Sequence, residues 1–133
     1  MQRIIVFIAL CTSLVLLLSC EGQTIYYKKV INKSSETVTI KFYSTFSSNA
    51  EDSFVIEPST DELIYWSEQR GGNQTAVDCA SNIDSVLVWI SNNKNLTKSL
   101  LDESNWSLEM KVRKYQGFVD QTCVFDIHQT DIQ

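Results

Sequence analysis

The sequence predicts an all-β fold, on three observations. Residues 38–42 place Val38, Ile40 and Phe42 on one face, with Thr37, Thr39, Lys41 and Tyr43 on the other, a strict period of two in strand-forming residues. Turn-rich clusters recur between such segments: Asn32-Lys33-Ser34-Ser35, Pro58-Ser59-Thr60-Asp61 and Ser91-Asn92-Asn93-Lys94. Almost no stretch repeats its apolar residues at helical spacing. Short strands at this interval give an antiparallel β-sandwich of Ig-like or Greek-key type with about seven or eight strands.

Taken in order, the first strand sets Tyr26, Lys28 and Val30 against Tyr27, Lys29 and Ile31, and stops at Asn32. The second is the alternating segment just described. Phe54 and Ile56 mark a third, and Leu63 to Trp66 a fourth beyond the Pro58 turn. A loop is expected from Ser67 to about Ala80, with Gly71-Gly72 at its middle. Ile83 to Ile90 reads as the central strand, apolar on both faces: Val86, Val88 and Ile90 on one, Leu87 and Trp89 on the other. A hairpin turn at 91–94 leads to Leu96, and one helical turn capped by Ser99 is expected over 99–105. Residues 107–115 and 122–127 supply the last two strands.

The chain opens differently. Residues 4–18 are almost continuously apolar and uncharged, and Arg3 precedes them. This is a signal peptide's charged start and apolar run, shorter than the roughly 20 residues a spanning helix needs. The tetrad Leu17-Leu18-Ser19-Cys20 resembles a lipobox, with small Ser19 before the cut and the cysteine after it. The resemblance implies that Cys20 becomes the mature N-terminus and carries acyl chains such as palmitate. Several chains, each stabilised by about 0.8 kcal/mol per buried methylene, hold a protein on a bilayer almost irreversibly. Residues 20–24 then form a short tether of about 13 Å, and 25–133 the domain. The rival is an ordinary secretory signal cut near Gly22. The sequons at Asn32, Asn73, Asn95 and Asn105 fit that version, a secreted and non-lipidated glycoprotein.

Removing residues 1–19 from the 133 leaves 114, enough for one core. Ten basic residues then face 16 acidic ones, a formal charge of −6. An acidic domain without a basic stripe is a poor nucleic-acid binder. Of the four cysteines, Cys11 leaves with the signal and Cys20 takes lipid. Cys79 and Cys123 remain, and in an oxidising compartment they are expected to form a disulfide.

Little in the sequence carries chemistry. His128 is the only histidine, and with Asp126 it makes an Asp-x-His pair on one face of a strand. A metal site needs further ligands, and no Gly-x-Ser-x-Gly supplies a nucleophile. The acids Glu51, Asp52, Glu57, Asp61, Glu62 and Glu68 match no calcium-loop spacing and read as a solvated surface. No catalytic residue, cofactor or metal is therefore expected. Tryptophans ordinarily pack in cores, but an apolar second face on the central strand calls for cover by a loop, lipid or partner. Trp66, Leu87 and Trp89 are accordingly the candidate ligand or partner surface. Asp84-Ser85-Val86 also fits an O-glycosylation triplet, although it lies within an expected strand.

Four segments together resemble the small single-domain lipoproteins of Bacteroidetes-type bacteria. They are Asn32-Lys33-Ser34-Ser35 after the first strand, Ile56-Glu57-Pro58, Asp84-Ser85-Val86, and Asn105-Trp106-Ser107-Leu108 before the last hairpin. The likeness spans nearly all of the mature chain. It implies an anchored β domain of the cell envelope, on the outer membrane and facing the periplasm or the cell surface. It implies no chemistry. A non-enzymatic module that binds an envelope protein is the expected function, with glycan binding through an outward Trp as the alternative.

Overall fold

The structure, a computed structural model, describes residues 22–43, 52–71, 76–113 and 118–133. The signal segment and Cys20 lie outside the described residues, as does Asn73. Seven strands form two sheets: β1 (Gln23–Lys33), β2 (Val38–Tyr43), β3 (Asp52–Ile56), β4 (Asp61–Arg70), β5 (Ser85–Ile90), β6 (Trp106–Arg113) and β7 (Phe118–His128). The larger sheet has the order β4-β1-β7-β6, and the smaller β3-β2-β5. The expected β-sandwich is therefore the fold.

One pairing is parallel. β1 and β7 run side by side from Gln23↔Phe118 to Lys33↔His128, while every other pairing between strands is antiparallel. A parallel pair needs a long crossover, and here the rest of the domain is that crossover.

Between the sheets lies a core of Val30, Ile64, Phe125 and Ile127 from the large sheet against Val38, Ile40, Phe42, Ile56 and Ile90 from the small one. Leu100 and Ile132 close its side. Trp106 packs edge-on against Phe125 with ring centroids 5.2 Å apart, and its Nε1 donates to Leu100 O at 2.9 Å. This tryptophan packs against the core, partly buried.

A bulge decides which side chains of β4 face inward. Lys28 opposes Tyr65 but Lys29 opposes Leu63, so Ile64 is an extra residue in the ladder. Ile64 and Tyr65 both turn inward, and Leu63 and Trp66 both turn out. At the end of β1, Asn32 is fully buried and holds the β1–β2 turn. Its Nδ2 donates to Glu36 O (2.7 Å), Ile56 O (3.0 Å) and Glu57 O (3.2 Å), and its Oδ1 accepts from Ser34 N and Oγ. Every polar atom of this amide is used, which is what burial of an amide requires.

Several boundaries differ from the sequence expectation. β1 starts at Gln23, so two residues of the expected tether belong to the sheet. β4 continues to Arg70, paired with β1 along its length, which moves the start of the loop. The turn at 91–93 is a 3-10 turn with Asn92 and Asn93 at positive φ. The chain returns beside β5 for a single antiparallel bridge, Ile90 to Lys94, and then leaves it: Asn95 N donates to Gln133 O and Thr97 N to Asp131 O, so Leu96 pairs with Ile132. The helical turn is a 3-10 turn over Glu103–Asn105, capped by Asp102 Oδ1 accepting from Ser104 N, rather than by Ser99. Finally, β5 is not central. It is the edge strand of the smaller sheet.

Cys79 and Cys123 are bonded, with Cα atoms 5.4 Å apart. The bond ties the 76–84 loop to the inner face of β7.

Candidate functional site

The candidates for a functional site are outward aromatics on the sheets and a cavity under the 76–84 loop. Trp66 is 63 % exposed, Leu87 48 % and Trp89 50 %, so none of the three is a core residue. They do not form one surface. Leu87 and Trp89 point out from the small sheet, where Thr39 lies between Trp89 and exposed Val55, and Lys41 lies beside Leu87. Trp66 points out from the large sheet, opposite Tyr27. The sandwich places these faces on its two opposite sides. Nothing in the sequence adds Val55 to the patch, because its alignment with Trp89 exists only through the β2 register.

A second apolar stretch was not legible. Leu108, Met110 and Val112 share the inner face of β6, being paired with Cys123, Gln121 and Val119. They nevertheless remain about half exposed or more, because the small sheet does not reach over them.

The cavity has a volume of about 450 Å³ and lies against the inner face of β1, β4 and β7, with the 76–84 loop as its other wall. Tyr26, Lys28, Tyr65 and Gln121 come from the strands, and Val77, Asp78, Ser81 and Asn82 from the loop. Lys28 is only 4 % exposed. Its Nζ donates to Cys79 O (2.6 Å) and to Ser81 O, and stands 5.4 Å from the centre of the Tyr65 ring. Burial pulls this amine down from its ordinary 10.5 to about 8, a shift that the charge of Glu103 partly offsets. The Glu103 carboxylate itself accepts from Cys79 N (2.8 Å) and Ala80 N (2.6 Å). Gln121 is buried and bonds Val77 through both ends of its amide. Tyr26 Oη donates to Gln69 Oε1 at 3.2 Å.

The other candidates do not converge. Asp126 faces Lys33 at 2.8 Å, and His128 is exposed at the end of β7, its backbone N–H bonded to Asp131. Among the described residues no group of three or more potential metal ligands gathers. The acidic run is divided by the strands: Glu57 accepts from Thr37, Asp61 pairs with Lys29 at 2.7 Å, and Glu68 pairs with Arg70. Of the sequons, Asn32 is closed to any modifying enzyme in the folded domain by its burial, and the Asn105 amide donates to Ser99 O.

No family model, no curated protein and no solved structure matches this chain.

Proposed function

We propose that this protein is a non-enzymatic envelope lipoprotein, held on a membrane by acylated Cys20, whose small sheet receives a partner protein. The observation that carries the reading is the exposed pair Leu87 and Trp89, with Val55 beyond Thr39, on the outer face of a sheet whose edge strand is β5. Large apolar side chains set side by side on a surface mark interaction sites, and Trp is the residue most enriched at their energetic centres.

The chain path supports the anchor. Only Glu21 and Gly22 separate Cys20 from the first residue of β1, a reach of about 10 Å. An acyl group there would hold the starting end of the large sheet against the bilayer. β1 would rise about 35 Å from it, with the small sheet's outer face turned sideways to the membrane plane.

The test is co-purification from detergent-solubilised membranes with the wild-type chain, Cys20→Ser and Trp89→Glu as baits. The reading expects Cys20→Ser to leave the membrane fraction, and Trp89→Glu to stay there while losing a protein that the wild type retains. An unchanged set of co-purifying proteins with Trp89→Glu defeats the partner surface. Membrane retention of Cys20→Ser defeats the anchor. Glycan binding is favoured by one observation, the open ring of Trp66, and quenching of its fluorescence by a polysaccharide would support that second reading.

A further inference from the structure

The cavity beneath the 76–84 loop has no part in the partner surface, and its chemistry is specific. A buried ammonium is costly unless charge and hydrogen bonds compensate for lost water. Lys28 receives two backbone carbonyls and the face of one ring, which are dipoles and a quadrupole rather than a counter-charge. Glu103, whose charge acts on Lys28, makes its own hydrogen bonds to two loop amides. Among the described residues no acceptor takes the third N–H of Lys28.

Nor is a cation needed to hold the loop. The disulfide fixes Cys79, the Gln121 amide fixes Val77, and Glu103 fixes Cys79 and Ala80. A neutral donor at position 28 could bond the same carbonyls, though less strongly. What a lysine adds is positive charge on the wall of a cavity whose size is that of small-molecule sites.

We infer that this cavity binds a small monocarboxylate with an aromatic or aliphatic body, its carboxylate on Lys28 Nζ and its body along the rings of Tyr26 and Tyr65. Asp78 on the loop wall disfavours ligands of higher negative charge. The amine is still mostly protonated at neutral pH, and a carboxylate beside it holds it so.

The experiment is calorimetric titration of the purified, disulfide-bonded full-length protein with 4-phenylbutyrate and with its uncharged amide. A charge-assisted hydrogen bond is expected to favour the acid by at least about tenfold. Lys28→Met is expected to bind the acid no better than the amide, and Tyr26→Ala to weaken both ligands together. Equal affinities for acid and amide in the wild type overturn the inference, as does the absence of millimolar binding by either. Undiminished preference for the acid in Lys28→Met does so too. Should Lys28→Met fail to fold, the acid–amide comparison in the wild type decides alone. None of these outcomes bears on Cys20 or on Trp89, so the partner reading stands or falls separately.

Discussion

The two ends of the large sheet are built on different principles. At the end where β1 and β7 finish, the inner face is covered by the small sheet, and the contact is mainly apolar, Val30, Phe125 and Ile127 against Val38, Ile40 and Ile56, with Asn32 and Ser34 its buried, hydrogen-bonded polar groups. At the end where they begin, the inner face carries Thr24, Lys28 and Gln121, and the cover is an irregular loop held by a disulfide and side-chain hydrogen bonds. The cause is length. β1 and β7 have 11 residues each, whereas β2, β3 and β5 have five or six, so the small sheet spans about half of the large one. A second layer made of strands gives a dry core. One made of loop leaves unfilled space and polar groups that must be bonded individually, and that is where the cavity lies.

This contrast is open to disruption at each end. The largest effect is expected from Phe125→Ala, which removes a fully buried ring and its contact with Trp106. A loss of roughly 3–5 kcal/mol is expected in denaturant unfolding, with the whole domain melting as one. Next comes the double change Cys79→Ser with Cys123→Ser. Opening a loop whose ends are 44 residues apart costs roughly 2–4 kcal/mol. If the two-layered end is self-sufficient, protease sensitivity should then appear in 76–84 while the near-ultraviolet signal of Trp106 persists. Concerted loss of both would show that the ends are one cooperative unit.

The smallest expected effect lies at the finishing end, where Glu36 joins the β1–β2 turn to the turn after β5. Its carboxylate accepts from Lys94 Nζ, from Ser91 Oγ (2.6 Å) and from Asn92 Nδ2 (3.0 Å). These bonds hold its pKa down at about 2, against an ordinary 4.5. A carboxyl depressed in the folded state stabilises above its unfolded pKa and ceases to do so as the pH falls through its folded one. Glu36→Gln should therefore be less stable than the wild type at neutral pH, and the gap should close between about pH 4.5 and 2 in thermal melts. A gap independent of pH would mean that the hydrogen bonds matter and the charge does not.

How much of this was legible in the sequence follows the same division. β2 was legible in which residues face the core, because Val38, Ile40 and Phe42 alternate against polar neighbours and face one dry layer. The disulfide was legible from thiol arithmetic and the expectation of export. β5 misled: an apolar run on both faces suggests a central strand, yet it is an edge strand with Leu87 and Trp89 left to solvent. The cavity could not be read at all. Lys28 sits between Tyr26 and Val30 in an alternating segment, and nothing local says that its face is the buried one. That depends on β7 lying parallel to β1 and on a loop some 50 residues away closing over both, neither of which leaves a periodic signature.

The parallel pairing of β1 with β7 has a mechanical consequence. Cys20 lies just before the start of β1, and β7 finishes at the opposite end of the sheet. Tension applied between residue 20 and His128 would draw the two strands past each other lengthwise. Their eleven registered rungs would then bear the load together, whereas a hairpin peeled from its tip breaks its rungs in succession. Shared over every rung at once, such a load meets far more resistance than one that opens the ladder from an end.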